Sequence, residues 1–272
     1  MNTENLPSLF VSHGAPTLAL ERNDTVTFLR SLGARIERPR SILCVSAHWT
    51  TAVPMLSAAP QPETIHDFGG FPASLYRMRY DAPGAPGLAA RAASLLDEAG
   101  IEAQVSPRRG LDHGAWIPLI LMYPEADIPV TQLSVQAEGG PSANLQVGRA
   151  LAPLRGEGVL ILATGGAVHN LSRIAGEGSP PPDWAVQFDE WLHRQLTEGT
   201  YEELIDYRRL APYSALAHPT EEHLLPLFVA MGTAGGSGSA AHQPDDKPRA
   251  ASLHRGWTHG SLSMAAYGFG VT

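Results

Sequence analysis

Histidines at positions 13, 48, 113, 169, 218 and 223 fall at or near the edges of apolar runs, where a side chain can face a ligand. Neutral imidazole is the commonest side-chain ligand for zinc and iron, binding at about 2.0 to 2.1 Å, and a catalytic metal keeps positions open for water or substrate. Three protein ligands are therefore enough. His13 and His48 make the strongest pair, and the third ligand comes from His223 or Glu222, with His218 close by. Two histidines plus a carboxylate would give the facial arrangement of non-haem Fe(II) oxygenases. His113 and His169 would then be free to move protons near neutral pH.

The elements that must position these groups are strands buried on both faces. Ser41-Ile-Leu-Cys-Val-Ser-Ala-His48 is apolar and β-favouring with no polar break until Ser46, Leu9-Phe10-Val11 breaks at Ser12-His13-Gly14, and Val159 to Ala163 breaks before Gly165 and His169. Strands of this kind belong to sheets covered by helices, whose ligands lie beyond the carboxyl ends of the strands. One histidine after one strand is more often a cap or a packing residue. Three such endings at one rim are better explained by a site. Helical spacing from Leu88 to Ala99, Ser142 to Leu154 and Trp184 to Leu196 completes the alternation of strand and helix, so the expected fold is α/β, a single-domain layered sandwich with a mostly parallel or mixed central sheet.

Composition narrows the partners. The chain has 272 residues, 43% of them hydrophobic, and a net charge of -8, with no run of lysine or arginine longer than a pair. That length suits one catalytic domain over 1–272, and the charge argues against nucleic acid. The amino-terminal residues lack the basic and apolar regions of a signal peptide, and no apolar stretch is long enough for a membrane span. Cys44 is the only cysteine and lies within a buried strand, which excludes a disulfide framework and a thiolate metal site and fits a reducing cytoplasm. The stretch 232–249 is rich in Gly, Ser and Ala and reads as a flexible insertion, and His242 and His254 read as having no site role.

Three further segments have simple readings. Pro60 to Pro72 is a shaped loop suited to lining a pocket, with His66 and Asp67 read as a local hydrogen-bonded pair. Asp112 or His113 can cap the helix that follows. Pro219 and the acids Glu221 and Glu222 read as the opening turn of a helix. No nucleophile elbow, phosphate loop, zinc helix of the H-E-x-x-H type or dinucleotide fingerprint is present.

Six pieces together resemble the class III extradiol ring-cleaving dioxygenases, in the DODA-type branch related to 4,5-DOPA dioxygenase. They are VSHGAP at Val11 to Pro16, SAHW at Ser46 to Trp49, TIHDFGGFP at Thr64 to Pro72, LDHGAW at Leu111 to Trp116, GGAVHN at Gly165 to Asn170 and HPTEEHLLPL at His218 to Leu227. The resemblance implies a metal held by His13, His48 and His223, with His113 and His169 in acid/base and substrate-contacting roles. It implies Fe(II) for turnover, with Zn(II) able to fill the same ligands, and a small aromatic diol and O2 as reactants. Two rivals use the same residues differently: a zinc-dependent hydrolase, and a Memo-like binding protein without enzymatic activity.

Overall fold

The computed structural model describes residues 5–235 and 249–271. Its strands are β1 (Ser8–Ser12), β2 (Ser41–Thr50), β3 (Met55–Ser57), β4 (Gln104–Ser106), β5 (Val130–Val135), β6 (Val159–Gly165), β7 (Ala251–His254), β8 (Trp257–Thr258), β9 (Leu262–Ser263) and β10 (Ala266–Phe269). Eight of them form one mixed sheet in the order β4-β3-β5-β2-β6-β1-β10-β7. At its centre β5, β2, β6 and β1 are mutually parallel, while β3 pairs with β5, and β10 with β1, in antiparallel sense.

The apolar run of each central strand serves two cores at once because alternate side chains point to opposite faces. Leu9, Val11, Ile42, Cys44, Leu160 and Leu162 enter one core; Phe10, Leu43, Val45, Ile161 and Ala163 enter the other. The first core is covered by α1 (Asp24–Arg35), whose amino end Asn23 caps by accepting the Val26 N–H at 2.9 Å, and by α3 (His113–Met122). The second is covered by α2 (Pro86–Glu98), α4 (Gly140–Leu151), α6 (Asp183–Glu198) and α10 (Leu225–Ala234). Short helices α5 (Pro153–Gly156), α7 (Tyr201–Ile205), α8 (Tyr207–Leu210) and α9 (Ser214–Ala217) join these layers. The α/β sandwich expected from the strand pattern is the observed architecture. Among the described residues no helix is long and apolar enough to cross a membrane.

Two expectations need new boundaries. Gly232, Thr233 and Ala234, read as the start of a flexible insertion, are the last turn of α10. Gly232 and Gly148 meet where α10 crosses α4, and a Cβ on either would collide with the backbone of the other helix. Their small size is needed for close helix packing, which composition alone cannot distinguish from a loop. Residues 236–248, including His242, lie outside the described residues. The second concerns Pro219, Glu221 and Glu222, which do not open a helix: α10 starts at Leu225, and Glu221 instead accepts hydrogen bonds from Tyr207 Oη (3.0 Å) and Arg208 Nε (2.8 Å).

Candidate metal centre

Each histidine reaches the carboxyl rim of the parallel strands by a different local device. His13 follows β1 directly, and its N–H donates to the Gly165 carbonyl at the end of β6 (3.0 Å). His48 lies inside β2 rather than at its end, within a register slip against β5 between Val45 and Thr50. Irregularities of this kind re-aim a side chain. His113 is the first residue of α3, behind the capping residue Asp112, whose side chain accepts from the Ala115 N–H (3.2 Å). His169 follows β6 and is tied by its N–H to the Ala217 carbonyl (3.0 Å). His223 is brought in by its own carbonyl, which accepts the Gly166 N–H at 2.9 Å. At Gly165 that carbonyl approaches so closely that any Cβ would collide with it.

The five rings converge. Ring centroids are 4.9 Å apart for His13 and His48, 5.5 Å for His13 and His223, and 4.9 Å for His48 and His223. His113 lies 3.9 Å from His48 and 5.5 Å from His13. His169 stacks flat on His223 at 3.5 Å with a 7° interplanar angle. Packing this tight requires a glycine at 114, where a Cβ would meet Ser46 Oγ at 2.5 Å, the His48 ring at 2.8 Å and the His13 ring at 3.3 Å.

Burial keeps His13, His48, His169 and His223 neutral. Burial, reinforced by the neighbouring imidazoles, holds His13 and His223 well below the usual histidine value. Burial lowers His48 to about 3, against the pull of Asp67 and Glu222, and His169 to about 4. Unprotonated rings offer lone pairs, as metal coordination demands.

The donor set fits a metal. His13 Nε2 and His48 Nε2 are 3.0 Å apart, and two nitrogens bound at about 2.05 Å to one ion would be separated by about 2.9 Å at a right angle and about 3.3 Å at a tetrahedral one. His223 Nδ1 donates to Glu222 Oε1 at 2.9 Å, which leaves Nε2 as a bare acceptor; that atom is buried and has no hydrogen-bond partner. Buried acceptors without donors are rare, and a cation answers this one. A second grouping is also close, since the ligand atoms of His13, His48 and His113 all lie within 4.8 Å of one another.

His218 is not part of the cluster. It is fully buried against Phe188 and Tyr207, its Nε2 hydrogen-bonds the Ala167 carbonyl (3.0 Å), and burial lowers it to about 3. Glu222 acts behind His223, as the partner of its Nδ1. Asp67 does not pair with His66, whose Nε2 faces the Met78 carbonyl at 3.1 Å. Its Oδ1 instead accepts from both the backbone N–H and Nδ1 of His113, each at 2.9 Å, and its Oδ2 lies 3.6 Å from His48 Nδ1. Burial would raise this carboxyl, but His113 and His48 outweigh it and bring it to about 2. Asp112 was legible only as a cap; it is also the hub of a buried network, accepting from Ser46 Oγ (2.6 Å), Gln132 and Arg109 Nη2 (2.9 Å), and Ser46 Oγ in turn accepts the His48 N–H (3.2 Å). The Asp67–His113 and Ser46–Asp112 partnerships cross 46 and 66 residues of chain, and no local pattern in the sequence announces them.

Beside His113 the wall is aromatic. Phe68 meets its ring edge-on at 5.6 Å and is itself packed by Phe71, Tyr76 and Trp116. An aromatic wall of this kind suits a flat, apolar guest next to the imidazoles.

A family profile described as "Catalytic LigB subunit of aromatic ring-opening dioxygenase" matches residues 7–269. The chain belongs to that family. As a LigB-family protein it is a metal-dependent extradiol ring-cleaving dioxygenase. Its relatives include proteins named 4,5-DOPA dioxygenase extradiol from Beta vulgaris, 43% identical over 97% of each chain, and from Portulaca grandiflora, 44% identical over 96% of this chain and 95% of that one. A protein of the same name from Escherichia coli strain K12 is 42% identical over 85% of this chain and 86% of its own. Among solved structures, an uncharacterized protein of Escherichia coli K12 superposes with a TM-score of 0.78 at 34% identity, covering 97% of this chain and 99% of its own. The resemblance read from the six sequence pieces is thus the family found by comparison.

Proposed function

We propose that this LigB-family protein opens the ring of a catechol beside its diol with O2, using Fe(II) held by His13, His48 and His223, with His113 and His169 as proton carriers. The observation that carries the reading is the pair of neutral Nε2 atoms 3.0 Å apart, together with the bare, buried Nε2 of His223, whose ring centroid lies 5.5 Å from that of His13 and 4.9 Å from that of His48. Ferrous iron at this position would supply the redox chemistry of dioxygen and would bring diol and O2 together as neighbours, whereas zinc in the same ligands has no redox chemistry. The residues of the chain do the rest. His169, stacked on His223, and His113, backed by Asp67, are placed to take a phenolic proton and to return one as the ring opens. Phe68 and its aromatic neighbours bind and orient the flat ring and exclude water from it. Catechols carrying an amino-acid side chain head the candidates, because four relatives bear the name 4,5-DOPA dioxygenase extradiol. The lone buried thiol of Cys44 is consistent with a reducing cytoplasm.

The test is oxygen uptake, together with the appearance of a ring-opened semialdehyde, by Fe(II)-reconstituted protein offered DOPA and a panel of simpler catechols. Stoichiometric O2 consumption with at least one catechol is expected, and none from zinc-loaded protein. Ester or amide hydrolysis without O2 uptake would overturn the reading in favour of the hydrolase; no turnover of any catechol would favour a binding role. A second ligand assignment, His113 in place of His223, is favoured by the 4.8 Å grouping. Iron content separates the two: on the first assignment His223→Ala loses the metal and His113→Ala keeps it.

A further inference from the structure

We propose that Asp67 is a positioning residue of this site, gripping the rear of two imidazoles so that His113 is held as the Nδ1–H tautomer with Nε2 free to exchange a proton with the diol. The proposal rests on the dioxygenase reading for what the proton is used for, but not for the tautomer itself. Neither the family match nor the names of the relatives give Asp67 a role.

The loop is placed by backbone bonds, not by Asp67. The Ile65 N–H donates to the Leu111 carbonyl and the Leu111 N–H to the Glu63 carbonyl, each at 2.8 Å, so residues 63–67 run in fixed register beside the segment that enters α3. Asp67 then meets the amino end of α3, where its Oδ1 takes the His113 N–H and Nδ1 together. Helix capping accounts for only part of this contact: Asp112 takes the Ala115 N–H and Asp67 takes another unpaired N–H of the same helix end, that of His113. The bond from the same Oδ1 to Nδ1 goes beyond capping and acts on the imidazole. An imidazole that donates from Nδ1 has its lone pair on Nε2, and the hydrogen bond at one nitrogen decides the role of the other. Oδ2 extends the same grip towards His48 Nδ1 at 3.6 Å, so one side chain backs a proposed ligand and a proposed proton carrier. Glu222 does the equivalent for His223, by a single bond to its Nδ1.

The test uses the full chain with Asp67→Ala and Asp67→Asn, read in two ways. Long-range 1H–15N correlation on the zinc-loaded protein reports the His113 tautomer directly: wild type is expected to show a protonated Nδ1 and a bare Nε2, and Asp67→Ala a mixture of tautomers. In the Fe(II) enzyme, Asp67→Ala is expected to lower kcat roughly 10- to 100-fold while leaving KM for the catechol within about threefold, and Asp67→Asn, which keeps an acceptor oxygen, to recover most of the loss. If Asp67→Ala does not fold, Asp67→Leu, which fills the space without an acceptor, is read against wild type by the same tautomer signals, a changed His113 pattern supporting the proposal and an unchanged one overturning it. An unaltered tautomer or an unaltered kcat in Asp67→Ala overturns it as well. Failure of the wild type to turn over catechols would sink the dioxygenase reading alone, since the tautomer is measured without turnover.

Discussion

Acidification should unfold the metal-free protein well above the pH at which its carboxylates titrate. His48 and His218 are lowered to about 3 and His169 to about 4, all from the ordinary 6.5, chiefly by burial. The unfolded chain therefore takes up protons below 6.5 that the folded chain refuses, so stability is greatest above 6.5 and falls as the pH drops towards the folded values. For a group whose folded value is far below 5.5, the loss between about pH 7.5 and pH 5.5 is about 1.4 kcal/mol, which makes about 4 kcal/mol for these three. His13 and His223 shift in the same direction and add to the loss. Asp112, raised by burial, works in the opposite sense, since a carboxyl raised on folding takes up its proton more readily in the folded form than in the unfolded one. Asp67 is lowered and loses its contribution only below 3.8, outside the window. Against a typical total of about 5 to 15 kcal/mol, such a loss is large. Urea unfolding of chelator-treated protein at these two pH values is the assay, and the midpoint should fall steeply on acidification. A change under about 1 kcal/mol would refute the argument, because it would mean that the buried imidazoles are not held neutral.

Other substitutions probe the supports of the site. Gly114→Ala drives a methyl group into Ser46 Oγ and the His48 and His13 rings; metal content and turnover should both fall by roughly 10-fold or more, with a lower Tm, since overpacking typically costs about 1 to 3 kcal/mol. Arg208→Ala removes the bonds to Glu221 Oε1 and to the Ser214 and His218 carbonyls that hold the segment leading to His223; equilibrium unfolding should register a loss of about 2 kcal/mol, and metal affinity should weaken with it. Phe68→Ala takes away the edge-on wall beside His113. Steady-state kinetics should show KM for the catechol rising roughly 10-fold with a smaller change in kcat.

Much of this molecule can be read along one strand at a time. The runs Leu9 to Val11, Ile42 to Val45 and Val159 to Ala163 are apolar on both alternating faces, and that alone implies a sheet buried between helices with its histidines at one rim. The chemistry of those histidines was legible for a related reason: an imidazole at or just past the carboxyl end of a buried apolar run has little packing to do. What the sequence could not determine was which groups stand behind the imidazoles. Asp67 sits next to His66 in the chain yet serves His113 and His48, and Glu221, a helix-opening acid by its position, serves Tyr207 and Arg208. The Gly232 turn read as a loop because a glycine that lets two helices touch looks, in one dimension, like a glycine that lets a chain bend. Periodicity along the chain records which face is buried, so architecture follows from it. Hydrogen-bond partners and close approaches are set by distance in space between residues far apart in the chain, and only the folded structure decides those.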